Sequence, residues 1–195
     1  KPAGYSTWMT GKWHLSEQPT DFGFQKYWGH LSGATNFFSG DKSFRLNGKE
    51  WHVPRMLNGK PFYTTHAITD YALQFLSEEG IDSDSNPFFL YIAYNAPHYP
   101  LHAPRKDVEK YNGMYDAGWD VIRKLRYQNQ LKSGLIPEKF KLSPRAPHIP
   151  AWSDIKETEK QWEAKRMEVF AAMIDIIDQN IGRLLSDLKS RGVLD

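Results

Sequence analysis

Two short strings carry residue types from which chemistry can be built. Gly11-Lys12-Trp13-His14 places a cation and an imidazole two positions apart. In an extended chain alternate side chains share a face, so Lys12 and His14 would point the same way, with Trp13 turned to the other side. A compact ammonium beside a ring whose proton is tunable near neutrality makes an anion site. The second string, Asn95-Ala96-Pro97-His98, follows directly on the apolar run Phe88 to Tyr94. Ligands in open α/β sheets bind beyond the carboxyl ends of strands, and His98 falls at such an end. Each string also has a plain structural reading: a surface Lys beside a hydrogen-bonded His, and a turn His capping a loop carbonyl.

The remaining candidates are weaker. His102 lies four residues after His98, but Pro100 and Pro104 bracket it and oppose the helical geometry a zinc pair would need. His30, His52, His66 and His148 form no constellation and read as surface or structural residues. Asp175 and Asp178 are three apart and border an apolar stripe, which favours hydrogen bonding to neighbouring elements over a metal site. No Gly-rich phosphate loop and no G-x-S-x-G elbow is present. With no Cys in the 195 residues, disulfides and thiolate zinc are excluded within the chain.

The elements that must position these residues follow from periodicity. A strand is expected near Ser6–Met9 and a second extended piece through Lys12–Leu15. Residues 16–63, rich in Gly, Pro, Asn and Ser, read as an irregular region with turn signals at Asn47-Gly48 and Asn58-Gly59 and with short strands or a hairpin near 44–53. Ile68, Tyr71, Ala72, Phe75 and Leu76 predict a helix over 65–79, with Thr64 or Thr65 as cap and Gly80 as stop. Phe88 to Tyr94 reads as a strand buried on both faces. Helices are expected over 104–111 and 116–133, a Pro-rich connection over 135–152, and one long helix or two in series over 157–190. A helix, a polar loop and a buried strand in that order indicate an α/β sheet.

Composition sets outer limits. Hydrophobic residues make up 40% and charged residues 25%, the balance of an ordinary globular domain. The net charge of +2 without a basic run gives no indication of nucleic acid. No stretch approaches the length of a membrane span. The opening KPAGYSTWMTGKWH does not read as a signal peptide and carries no initiator Met. A longer sequence entered partway is the expectation, as it is after Val193-Leu194-Asp195, where an α/β chain would ordinarily enter another strand.

Six segments taken together resemble one family: AGYSTWMTGKWHL (3–15), PTDFGFQKYWG (19–29), LSGATNFFSG (31–40), PFYTTHAITDYALQFL (61–76), PFFLYIAYNAPHYPLHAP (87–104) and MEVFAAMIDIIDQNIGRLL (167–185). Their order is similar to the central part of type I sulfatases, the arylsulfatases of the alkaline phosphatase superfamily. The resemblance implies an alkaline-phosphatase-like three-layer α/β sandwich with a mixed central sheet, of which residues 1–195 form a partial catalytic domain with loop-rich inserts at about 16–63 and 135–152. It implies hydrolysis of small-molecule or carbohydrate sulfate esters, and a periplasmic or secreted location for a bacterial relative. Lys12, His14 and His98 match family site positions. Lys12 would contact sulfate, His14 would help take a proton from the nucleophile, and His98 would touch sulfate or protonate the leaving alcohol. Ser16 stands where the family commonly has Gly after GKWHL.

The family's formylglycine, made in a C/S-x-P-S-R motif, and its Ca2+ ligands have no counterpart here. Ser143-Pro144-Arg145 lacks the motif's pattern and stands in the wrong place. The segment alone is therefore expected to be inactive. A phosphoester or phosphonate hydrolase of the same superfamily, or a non-catalytic sulfatase-like binding protein, are the competing readings.

Overall fold

The computed structural model describes residues 3–194. The chain divides into two compact units, Lys1–Ala103 with Met173–Asp195, and Pro104–Ala172. Asp195, the last residue of the expected break in a following strand, lies outside the described residues.

The first unit is built on a mixed sheet. Strands β1 (Ser6–Lys12), β2 (Lys26–His30), β3 (Phe44–Leu46), β4 (Lys49–Glu50) and β7 (Phe88–Ala93) lie in the order β4-β3-β2-β1-β7. β1 runs parallel to both β2 and β7, while β2–β3 and β3–β4 are antiparallel. The β3–β4 hairpin turns at Asn47-Gly48, and a second small pair, β5 (Met56–Leu57) with β6 (Lys60–Pro61), turns at Asn58-Gly59. Both Asn-Gly pairs have positive φ at each residue, the geometry a tight hairpin requires.

Helix α1 (Thr64–Glu78) covers one face of the sheet. Trp8, Trp28, Phe62, Ile68, Phe75 and Leu76 are buried between them. Trp28 stacks on Tyr71 of α1 at 4.4 Å with the rings 5° apart. Burial of each such side chain contributes about 1.5–3 kcal/mol, so the short β2 is anchored by its aromatic content rather than its length. Lys26 at the start of β2 pairs with Glu78 and Glu79 at the far end of α1, at 2.8 and 2.6 Å.

Four expectations need correction. The stretch 16–63 contains β2, an inner strand that turn-rich composition concealed. Tyr63, not a Thr, is the cap residue of α1, and Thr64 Oγ1 instead donates to the Phe37 carbonyl at 3.0 Å. β7 is not buried on both faces. Leu90 and Ile92 pack toward α1, whereas Phe89 and Tyr91 are 53% and 45% exposed. On that second face the Phe24 ring stacks on Phe89 and Tyr91, at 6.2 and 6.5 Å. Finally, no second extended piece spans Lys12–Leu15, because His14 has φ 63 and turns the chain.

The second unit contains α2 (Arg105–Val108), α3 (Gly118–Lys132) and the first part of α4 (Glu157–Ser190), which is one continuous helix. Trp119 and Trp152 meet edge to face at 4.8 Å, and Asp120 accepts from Trp152 N–H and from Arg145, both at 2.8 Å. Buried Glu168 accepts from Gly113 N–H at 2.9 Å and from Lys165 at 2.7 Å.

Candidate active site

Three parallel strands end side by side, and each delivers one group. β1 ends on Lys12, β2 on His30, and β7 leads through Tyr94 into Asn95–His98. Lys12 is in register with His30, and Gly11 with both Gly29 and Ala93. The closeness of this end depends on small residues. A Cβ on Gly11 would lie 2.0 Å from the Ala93 carbonyl oxygen, and one on Gly29 would lie 1.9 Å from the Gly11 oxygen. Neither position accepts a side chain.

Alternation along β1 puts Trp8, Thr10 and Lys12 on the α1 face, and along β2 it puts Trp28 and His30 there too. Lys12 is half-buried and forms no hydrogen bond or ion pair with a described residue. Past Lys12 the ladder continues for one bond, from Trp13 N–H to the His30 carbonyl at 3.0 Å. The Trp13 indole turns to the opposite side, 5.5 Å from Phe22 and 6.3 Å from Phe24. His14 does not share the Lys12 face by strand alternation, as the spacing had predicted. Its left-handed backbone, a conformation that disfavours most L-residues by about 1–2 kcal/mol, carries the exposed ring over the turn that follows β2. Strain of this kind gathers at functional sites.

His98 is exposed, and its backbone N–H donates to the Asn95 carbonyl at 3.0 Å. Its Nδ1 lies 2.8 Å from the Tyr99 carbonyl oxygen. Nδ1–H is therefore the donor, and Nε2 is the atom left to face outward. The turn-His reading and the functional one are thus compatible, since the carbonyl contact engages Nδ1 and leaves Nε2 without a hydrogen-bond partner among the described residues. The preceding Asn95 is 4% exposed, and neither of its amide atoms has a hydrogen-bond partner among the described residues.

His30 takes the structural rather than the surface role of the two expected for it. It is fully buried, with Nδ1 3.0 Å from the Ser32 carbonyl and 3.1 Å from Ser32 Oγ. Ser32 Oγ in turn donates to Asp41 at 2.8 Å. Burial chiefly lowers the imidazole's proton affinity, to a pKa of about 4, against the opposing pull of Asp41 and the Ser32 bond; the charges of Lys12 and His14 lower it further. A strand ending in a Leu-Ser-Gly turn, after the aromatic pair Tyr27-Trp28, was the sequence signal available.

This shift has a measurable sign. The native ring stays neutral to about pH 4, whereas an unfolded His titrates near 6.5. Between those values the unfolded state binds the extra proton, so stability is complete above about 6.5 and falls as the pH drops toward 4. At about 1.4 kcal/mol per unit the loss reaches roughly 3 kcal/mol. Urea midpoints of the intact protein at pH 7 and pH 5 are expected to differ less in His30→Gln than in the unsubstituted protein. An equal difference in both would assign the acid sensitivity elsewhere.

Other histidines play packing roles. His102 sits beside Phe37 and Phe38, and its carbonyl accepts from Tyr63 Oη at 2.9 Å. His66 pairs with Asn180 at 3.0 Å. Ser143 is engaged by Arg123 through both its carbonyl and its hydroxyl, at 2.7 and 2.8 Å. Among the described residues no group of three or more His, Asp or Glu side chains could hold a metal ion, and no helix is long and apolar enough to cross a membrane.

The Sulfatase family matches residues 1–195. An uncharacterized sulfatase of Schizosaccharomyces pombe is 36% identical across 99% of this chain, and an arylsulfatase of Klebsiella aerogenes is 31% identical across 98%. The chain spans 37% and 42% of those two relatives. A solved structure in complex with its substrate D-glucosamine-2-N,6-O-disulfate superposes with a TM-score of 0.64 at 22% identity, over 100% of this chain and 46% of that one. That likeness establishes the alkaline-phosphatase-like α/β fold, of which the first unit carries the mixed sheet and one helical layer.

Proposed function

Since the chain belongs to the sulfatase family, we propose that it serves, as part of a longer chain, in the hydrolysis of sulfate esters, with Lys12, His14 and His98 as its working groups. What supports this reading is that β1 ends on Lys12, a half-buried cation with no hydrogen-bond or ion-pair partner among the described residues, and that the exposed His14 and His98 follow the ends of β1 and of its parallel neighbour β7. A sulfated carbohydrate is the favoured substrate class, given the disulfated glucosamine bound by a structural neighbour. Residues 1–195 would form part of the catalytic domain, with 135–152 as a loop-rich insert, while 16–63 lends β2, β3 and β4 to the central sheet.

The division of labour follows from chemistry. A sulfate monoester spreads negative charge over its terminal oxygens, and the bridging oxygen gains charge as its bond to sulfur breaks. A fixed ammonium, Lys12, stabilises that charge without reorganising. His98, held through Nδ1–H by the Tyr99 carbonyl, can in its doubly protonated form give the Nε2 proton to the departing oxygen, which leaves as a neutral alcohol while Nδ1 keeps its own proton. His14 is suited to accept a proton from the attacking group.

The family's calcium and formylglycine would supply charge neutralisation and a nucleophile. The described residues do not fit a calcium site, so no step here runs through the ion. We propose that both are provided by other parts of a longer chain. The test compares a chromogenic aryl sulfate with the corresponding phosphate. The longer chain is expected to prefer sulfate, and the 195-residue segment to give no turnover above blank. Preferential phosphate turnover, or clear activity of the segment, would overturn the assignment.

A further inference from the structure

The turn after β2 lies directly against the His14 ring. A Cβ built on Gly33 would sit 2.4 Å from His14 Nε2, 2.7 Å from Cε1 and 3.0 Å from Cδ2. Ordinary carbon contacts lie at about 3.5–4.0 Å, so even one methyl group there would require the ring to move. Gly33 has no left-handed φ, so its own backbone would tolerate Ala, and the reason for a bare Cα is the neighbouring ring. The same turn holds the other end of the segment through the bond from Trp13 N–H to the His30 carbonyl. It is itself braced, because Ser32 N–H donates to Ser43 Oγ at 3.1 Å and Leu31 N–H to the Ser43 carbonyl at 3.3 Å. His14 makes no side-chain hydrogen bond to a described residue. Its left-handed backbone and the close approach of Gly33 are the two features of the described structure that bear on where the ring stands.

We propose that Gly33 is a positioning residue whose missing side chain sets the place of the His14 imidazole at the site. The proposal rests on the sulfatase reading for its effect on turnover, but not for its effect on the ring.

The experiment uses the longer chain with histidines labelled at 13Cε1, in four forms: unsubstituted, Gly33→Ala, His14→Ala, and both together. In Gly33→Ala the His14 Cε1 resonance is expected to move while that of His66 stays in place. Aryl sulfate turnover should fall by about 10–100-fold, the scale of an ångström-sized misplacement. In the His14→Ala background the added Gly33→Ala should change residual turnover by a factor near one. An equal loss in both backgrounds, or a His14 resonance that does not move, overturns the proposal. Should Gly33→Ala alone fail to fold, folding of the double variant supports the steric argument, and its failure sinks it. A shifted resonance in a protein with no sulfatase activity would leave the proposal standing and remove only the catalytic reading.

Discussion

Replacing His98 by Ala is expected to lower turnover of an unactivated alkyl or sugar sulfate by about 10²–10⁴-fold, the range for loss of a general acid. Folding should persist, because the ring is exposed and its one bond runs to the neighbouring Tyr99 carbonyl. The diagnostic is the leaving group. An aryl sulfate with a strongly acidic phenol needs no proton as it departs, so its rate should fall much less than that of the alkyl ester. A loss of equal size for both esters would make His98 a sulfate contact rather than a proton donor. Unchanged turnover would remove it from the mechanism.

Lys12→Met should be comparably damaging, by about 10²–10³-fold in kcat/KM, the effect of deleting one preorganised electrostatic partner of a developing anion. The unbranched Met side chain keeps the apolar stem that follows Thr10 on the α1 face, so stability should be little changed. No ion pair among the described residues is broken by the substitution. Lys12→Arg is expected not to restore activity, since a planar fork replaces a compact charge beside a buried ring. Rescue by Arg to near the original rate would show that any cation at the end of β1 suffices. The charge of Lys12 is one of the influences lowering the proton affinity of His30. Titration of His30 in Lys12→Met should accordingly move upward, a readout independent of substrate.

Long-period signals were the legible part of this fold. The apolar spacing of α1 and α4, the run Phe88 to Ala93 and both Asn-Gly turns can be read from residue types alone, because each depends on neighbours within a few positions. β2 was hidden for the opposite reason. Lys, Gly and His dilute the strand character of Tyr27-Trp28 within its five residues, and Trp28 acquires its place only against Tyr71 of a helix some forty positions away. The exposure of Phe89 and Tyr91 was unreadable too, since an apolar run does not say whether both faces are covered.

The site divides along the same line. Lys12 and His98 stand out as residue types at recognisable boundaries, whereas the neutral buried state of His30 and the contact between Gly33 and His14 exist only once separate segments are brought together. The conformation of His14 defeated the alternation argument because a left-handed residue leaves no mark in composition.

The row formed by Gly29, Gly11 and Ala93, one step below the proposed site, bears on how this protein can be engineered. Variant libraries meant to alter which ester is accepted would be wasted at positions 11 and 29, where any larger residue collides with backbone oxygen rather than with a movable side chain. Diversity is better directed to the exposed stretches beyond the strand ends. Swapping those stretches between homologues should succeed only when this narrow row is carried over unchanged, which makes it a practical boundary for chimaera design.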